Sequence, residues 1–152
     1  MSGMNVLLTG DPLDIAALHR LASTSPDCGA VASFTGQVRS GSGLDALELQ
    51  HHPVLTQQAL ERIAADAGAR FGAKQLVLAH RYGRMDVGQP IVFIACACAH
   101  RRDALDAVSY MIDLTKTRAP FWKREWRGGE ARWIEPTAAD QAAARQWMET
   151  RV

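Results

Sequence analysis

Ile91-Val-Phe-Ile-Ala-Cys-Ala-Cys-Ala99 runs without a break into His100-Arg-Arg-Asp-Ala-Leu-Asp-Ala-Val-Ser-Tyr-Met-Ile-Asp-Leu-Thr-Lys-Thr-Arg118, and then into Ala119-Pro-Phe-Trp-Lys-Arg-Glu125. The first nine residues are apolar throughout, the pattern of a central strand covered on both faces. From about His100 to Arg118 the apolar spacing turns helical. Leu105, Val108 and Ile112 form the predicted buried stripe, with Ala104 and Met111 beside it. Pro120 disfavours helical geometry at Ala119 and stops the helix there. A covered strand, a long helix and a new extended segment therefore meet within 35 residues.

Toward the N-terminus, Asn5 to Thr9 reads as a strand. Asp11-Pro12 reads as a cap and first turn for a helix to about Ala22, with Leu13, Ala17, Leu18 and Leu21 on one face. Gly29 to Arg39 alternates as a strand, with Ala30, Ala32, Phe34 and Val38 on one side. After Ser40-Gly-Ser-Gly43, Asp45 to His52 is a strand that Pro53 ends. It sets Leu47, Leu49 and His51 against Glu48, Gln50 and His52. Leu55 to Phe71 carries Leu60, Ile63, Ala67 and Phe71 at helical spacing. Leu76 to Tyr82 is a strand, and Gly83 to Gln89 reads as a turn.

Toward the C-terminus, Trp122–Trp126 and Ala131–Glu135 form a predicted hairpin around Arg127-Gly-Gly-Glu130, with Trp122, Trp126 and Trp133 as its core. Thr137 to Met148 forms a last helix. Strands and helices intersperse, hairpins recur and no glycine-rich nucleotide loop follows a strand. The fold class is α+β with a mainly antiparallel sheet, in one domain spanning 1–152.

The 152 residues are 47% hydrophobic and 22% charged, the balance of a globular chain with room for a core. No apolar run reaches membrane-span length. Met1 to Thr9 lacks a basic region followed by a long apolar one, so no secretory signal is read there and the cytoplasm is the expected location. The cysteines, Cys28, Cys96 and Cys98, are odd in number, and two lie mid-strand, which argues against disulfides. No Cys/His spacing suits zinc, so neither metal nor cofactor is expected.

Net charge is only +1, yet Lys116, Arg118, Lys123 and Arg124 crowd around the proline break, one helix length beyond His100-Arg-Arg102. A nucleic-acid binder would more often be basic throughout. A helix beginning at His100 offers free backbone amides to an anion, and Arg101 adds a guanidinium fork. Continuing the stripe 101, 105, 108, 112 by one step reaches Lys116. A lysine partly desolvated there would act as acid, base or nucleophile, although a snorkelling stem is the commoner fate. Lys123 reaches toward the same space, and Arg39 would converge with both. A straight helix places Arg101 and Lys116 about 22 Å apart, so one small ligand cannot touch both in a single subunit.

The matching stretches Gly29-Ala-Val-Ala-Ser-Phe-Thr-Gly-Gln-Val-Arg39, Leu49-Gln-His-His-Pro53, His80-Arg81 with Gly83, Ala99-His-Arg101 and Lys116-Thr-Arg-Ala-Pro-Phe-Trp-Lys-Arg-Glu125 resemble the large, catalytic subunit of molybdopterin synthase. The resemblance spans about Gly29 to Trp147. It implies an α/β-hammerhead fold and a sulfurtransferase of molybdenum-cofactor biosynthesis. It also implies a homodimer flanked by two small ubiquitin-like carriers, a heterotetramer, in which each carrier ends in a Gly-Gly thiocarboxylate that donates sulfur. The substrate would be cyclic pyranopterin monophosphate and the product a dithiolene. By motif, Lys116 and Lys123 would be catalytic. Gln37, Val38, Arg39, His100, Arg101, Lys116, Lys123, Arg124 and Glu125 would bind substrate. The family usually shows Glu-His-Tyr-Pro where this chain has Gln50-His51-His52-Pro53, and the loop after Arg39 is short. Two competing readings remain: a non-catalytic module for a phosphopterin or nucleotide, and a single-stranded RNA binder stacking bases on tryptophans.

Overall fold

The Pro90–Cys98 strand sits inside a four-stranded sheet, and the rest of the fold is arranged around it. The computed structural model describes residues 3–149. In chain order the elements are β1 (Gly3–Thr9), α1 (Ile15–Ala22), β2 (Ala30–Gln37), β3 (Ala46–His51), α2 (Leu55–Phe71), β4 (Gln75–Arg81) and β5 (Gly83–Asp86). They continue with β6 (Pro90–Cys98), α3 (Arg101–Arg118), β7 (Phe121–Arg127), β8 (Glu130–Ile134) and α4 (Ala138–Glu149).

The first sheet has the order β1-β4-β6-β2, and the second has the order β5-β3-β7-β8. Only β1 with β4 pairs in parallel among the described residues. The alternation of β6 buries both faces. Ile94, Cys96 and Cys98 pack with α2 and α3, while Phe93 and Ala95 pack with Leu13 and Leu18 from around α1. Burying a side chain such as Phe93 is worth about 1.5–3 kcal/mol. The architecture is the α+β, mainly antiparallel one that the sequence implies.

Helix α2 begins and ends where its periodicity sets it. Gly72 follows with φ 67°, a left-handed residue closing the helix, and its N–H bonds to the Gly68 carbonyl. At the other end, the His52 ring accepts hydrogen bonds through Nδ1 from the amides of Val54 (3.2 Å) and Leu55 (3.0 Å). The ring of His52 thus serves the first amides of α2. In the β7–β8 turn, Gly128 (φ 56°) and Gly129 (φ 81°) both take the left-handed backbone that a two-residue hairpin demands.

Several expectations are corrected. Helix α1 starts at Ile15 and is capped by Asp14, whose Oδ1 accepts from the Ala17 amide, rather than by Asp11 and Pro12. Leu21 faces solvent, and Ala22 is the buried residue. The segment read as a turn after Tyr82 contains β5, which pairs with β3 before the turn at Val87–Gln89. In α3 the expected Ala104, Val108 and Met111 are buried, joined by Ala107, Tyr110, Leu114 and Thr115, while Ile112 is half-buried and Leu105 is 53% exposed. Trp122 and Trp133, read as hairpin core, are 52% and 51% exposed.

The cap reassignment has a direct test. Asp14→Ala should lower stability by about 1 kcal/mol, and Asp11→Ala should stay within about 0.5 kcal/mol of the parent. Urea unfolding of the two variants side by side distinguishes them, and equal losses would contradict the observed cap.

Candidate active site

Sheet register fixes which sequence-predicted residues meet. Ala30 pairs with Cys98 and Gln37 with Pro90, so β2 runs from the end of β6 back to its start. Helix α3 begins beside Cys98 and lies along the same face, burying Ala104 to Leu114 against Ile94, Cys96 and Cys98. Its far end is located by Phe121, just beyond Pro120. That ring stacks on His80 at 4.0 Å, and His80 pairs with Val92 near the start of β6. Gln37, Val38, Arg39, Lys116 and Lys123 therefore gather at the Pro90 end. His100 and Arg101 stand at the Cys98 end.

Within the first group the residues differ in what they leave free. Val38 is buried with Leu47, Leu49 and Met85. Its amide donates to the Gln89 carbonyl and its own carbonyl accepts from Gly88. It is a fixed pivot that brings Gln37 and Arg39 to the surface, and it has no polar group to offer. Arg39 is exposed and makes no ion pair among the described residues. Lys116 faces outward on the last turn of α3, with its ammonium 3.9 Å from Asp140 of α4 and its side chain 57% exposed. Surface pairs of that kind are worth at most about 1 kcal/mol, so the contact leaves the lysine available.

β7 presents alternate residues to opposite faces. Lys123 pairs with Leu49 and Glu125 with Leu47, placing both on the side that faces Val38 and the first sheet. Glu125 holds Arg127 at 2.9 Å. Arg124 points the other way. Its guanidinium bonds Glu48 at 2.8 Å and lies over the rings of Trp126 and Trp133. Its place in a substrate-binding set beside Lys123 does not follow from this geometry. Burial alone would raise the Glu48 carboxyl, but hydrogen bonds from Arg124, Trp126 and Gln50, together with the Arg124 charge, hold it below the usual range.

At the other end, His100 takes the N-cap position of α3 in extended geometry and makes no side-chain capping bond. Its ring and Arg101 are both exposed beside the first amides of the helix. Cys96 and Cys98 lie 3.7 Å apart and fully buried, and burial pushes both thiols up, away from nucleophilic use. Among the described residues no group of three or more His, Cys, Asp or Glu is placed to hold a metal ion. No helix among them is long and apolar enough to cross a membrane.

Two participants escaped the sequence reading. His80 was legible only as part of a motif, and nothing in its spacing announced the stack beneath Phe121. Thr56 looked like an ordinary residue of a helix's first turn, yet its hydroxyl reaches the Pro120 carbonyl at 2.9 Å across 64 residues.

Comparison with known proteins identifies the family and the fold. A family model described as MoaE protein matches residues 8–118. A molybdopterin synthase catalytic subunit of Pseudomonas aeruginosa is 44% identical over 135 residues, covering 87% of this chain and 90% of that protein. That of Escherichia coli K12 is 35% identical over 150 residues, covering 97% of this chain and 100% of that protein. The solved structure of molybdopterin cofactor biosynthesis protein E from Burkholderia multivorans superposes with a TM-score of 0.80 at 38% identity, covering 96% of this chain and 97% of that one. The class is a sulfur-transferring enzyme of cofactor biosynthesis. The chain belongs to the MoaE family of molybdopterin synthase catalytic subunits.

His80 gives this end of the sheet a pH signature. Burial pulls its imidazole down from 6.5 to about 4, against the opposing pull of the Arg81 carbonyl, to which Nδ1–H donates at 3.0 Å. The unfolded chain thus binds a proton that the folded chain refuses, and stability falls as pH drops from about 6.5 toward 4. This one group gives a slope of up to about 1.4 kcal/mol per pH unit. His80→Phe keeps the stack and should flatten the pH dependence of urea stability between pH 7 and 5. Parallel slopes in the parent and the variant would count against a neutral buried His80.

Proposed function

We propose that this chain forms the catalytic core of a cytoplasmic molybdopterin synthase. It transfers sulfur from the Gly-Gly thiocarboxylate of a small ubiquitin-like carrier to cyclic pyranopterin monophosphate, building the dithiolene. The observation that carries the reading is the gathering of Lys116, Lys123 and Arg39 at one end of the first sheet, in a member of this family. Two ammonium groups and a guanidinium suit a phosphate ester whose ring opens while the carrier's thiocarboxylate gives up its sulfur to the pterin and is hydrolysed by water to a carboxylate that stays on the carrier, because both steps develop negative charge. A lysine beside the leaving oxygen also supplies a proton. The buried thiols of Cys96 and Cys98 fit a reaction in which sulfur arrives on a partner.

In this reading Lys116 and Lys123 are catalytic, while Gln37, Arg39, His100, Arg101 and Glu125 meet the substrate. Val38 and Arg124 set the positions of their neighbours. Lys116→Ala and Lys123→Ala should each lower turnover by about 100-fold or more with the fold retained. The assay mixes the chain with thiocarboxylated carrier and cyclic pyranopterin monophosphate and measures molybdopterin. Near-parental turnover in either variant would remove that lysine from the chemistry. Retained phosphopterin binding with no transfer by the parent would favour the non-catalytic module instead.

The two cationic groups stand at opposite ends of α3, so a single small pterin is served by both only if two subunits share each site. His100 and Arg101 then come from one protomer, and Lys116 and Lys123 from its partner in a homodimer that two carriers flank. Arg101→Ala and Lys116→Ala chains, each inactive alone, should regain activity when mixed and exchanged, since one of the two sites in the mixed dimer is intact. No recovery after proven exchange would mean that each site is built within one chain.

A further inference from the structure

Between Lys116 and Lys123 the chain changes from helix to strand, and one buried hydroxyl grips the place where it does so. Thr56, on the first turn of α2, has no exposed surface. Its Oγ1 accepts from the His52 backbone N–H at 3.0 Å and donates to the Pro120 carbonyl at 2.9 Å. An amide only donates and a carbonyl only accepts, so the single hydroxyl proton is committed to Pro120. Around that proline the Phe121 N–H closes onto the Ala119 carbonyl at 2.8 Å, and the Phe121 ring then stacks on His80. Among the described residues, Thr56 is the side chain that holds this turn by hydrogen bond from outside.

Capping α2 does not explain the contact. The His52 ring already takes the Val54 and Leu55 amides, and the Thr56 amide bonds the His52 carbonyl at 3.2 Å. What the hydroxyl adds is a tie across 64 residues to the hinge between two lysines. A free Pro120 carbonyl would let β7 pivot against the end of α3, carrying Lys123 relative to Lys116. Reaction rates are sensitive to displacements near 1 Å, so such a pivot would be felt in turnover.

We propose that Thr56 is a positioning residue: its bond to Pro120 sets the relative placement of Lys116 and Lys123. The inference rests on the functional reading above, which makes those two lysines catalytic. Thr56→Val keeps the shape and removes both hydrogen bonds, whereas Thr56→Ser keeps them. In the assembled enzyme with carrier, Thr56→Val should lower kcat tenfold or more, with KM for carrier and pterin within twofold of the parent. Thr56→Ser should restore kcat to within twofold.

A second readout is independent of activity. The chain has three lysines, Lys74, Lys116 and Lys123, so reductive ¹³C-methylation gives three side-chain signals for NMR. Thr56→Val should shift those of Lys116 and Lys123 and leave Lys74 unmoved, with Thr56→Ser matching the parent. Parental kcat in folded Thr56→Val, a serine variant as impaired as valine, or unmoved lysine signals would each overturn the proposal. Should valine not fold, Thr56→Ala carries the same test. If neither folds while serine behaves as the parent, Thr56 is a folding determinant only and the proposal falls. A parent enzyme that transfers no sulfur would remove the functional reading, and the lysine signals would still decide whether Thr56 places the two side chains.

Discussion

Pro120 cannot continue a helix, and much of the organisation of this molecule turns on that constraint. Helix α3 spends its length burying one face, from Ala104 to Thr115, in the core that β6 shares, and the proline ring forbids another turn and sets Ala119 in extended geometry. The strand that results, β7, is one of the two inner strands of the second sheet, hydrogen-bonded to both β3 and β8. The break thus carries the chain from the helix covering the first sheet into the second. It also places a lysine on each side of itself, Lys116 on the last turn of the helix and Lys123 on the strand. The surroundings hold the break from three directions: Thr56 at the Pro120 carbonyl, His80 beneath Phe121, and the pairing of Phe121 with His51.

Length is the second constraint. A helix of 18 residues spans about 27 Å, and α3 uses that length to cross the first sheet from the Cys98 end to the Pro90 end. Cations at its two ends belong to different regions of the surface of one chain. The antiparallel run of β2 repeats the same logic, because it carries the chain away from the Cys98 end and brings Arg39 to the Pro90 end.

What was legible in the residues followed from how strongly each pattern excluded its alternatives. The bounds of α2 coincide with its apolar period and with the glycine that follows, and Gly128-Gly129 admits few turns other than a hairpin. In α3 Ala104, Val108 and Met111 were legible, but Leu105 was placed in the stripe because a leucine outweighs an alanine such as Ala107 in any apolar count. Close contact with the flat face of β6 favours Ala104 and Ala107, which let the helix approach. β5 is four residues long and bracketed by glycines, so turn chemistry masked a strand whose pairing partner lies far away in sequence. The tie from Thr56 to Pro120 spans 64 residues and leaves no local pattern at all.

The outer face of the second sheet completes the physical picture. Arg84, Trp126, Arg124 and Trp133 stack in alternation, with guanidinium-to-ring distances of 4.8, 5.2 and 4.9 Å, and Glu48 neutralises the centre through Arg124 and Trp126. These side chains come from β3, β5, β7 and β8, so the stack crosses every strand of that sheet. Cross-strand pairs of this kind resist a slip in register, and a slip of one residue would turn Lys123 to the opposite face. Arg124 therefore braces the sheet from the face opposite Lys123. By staying bound to Glu48 and the tryptophans, it keeps its neighbour Lys123 turned to the face of Leu49 and Val38.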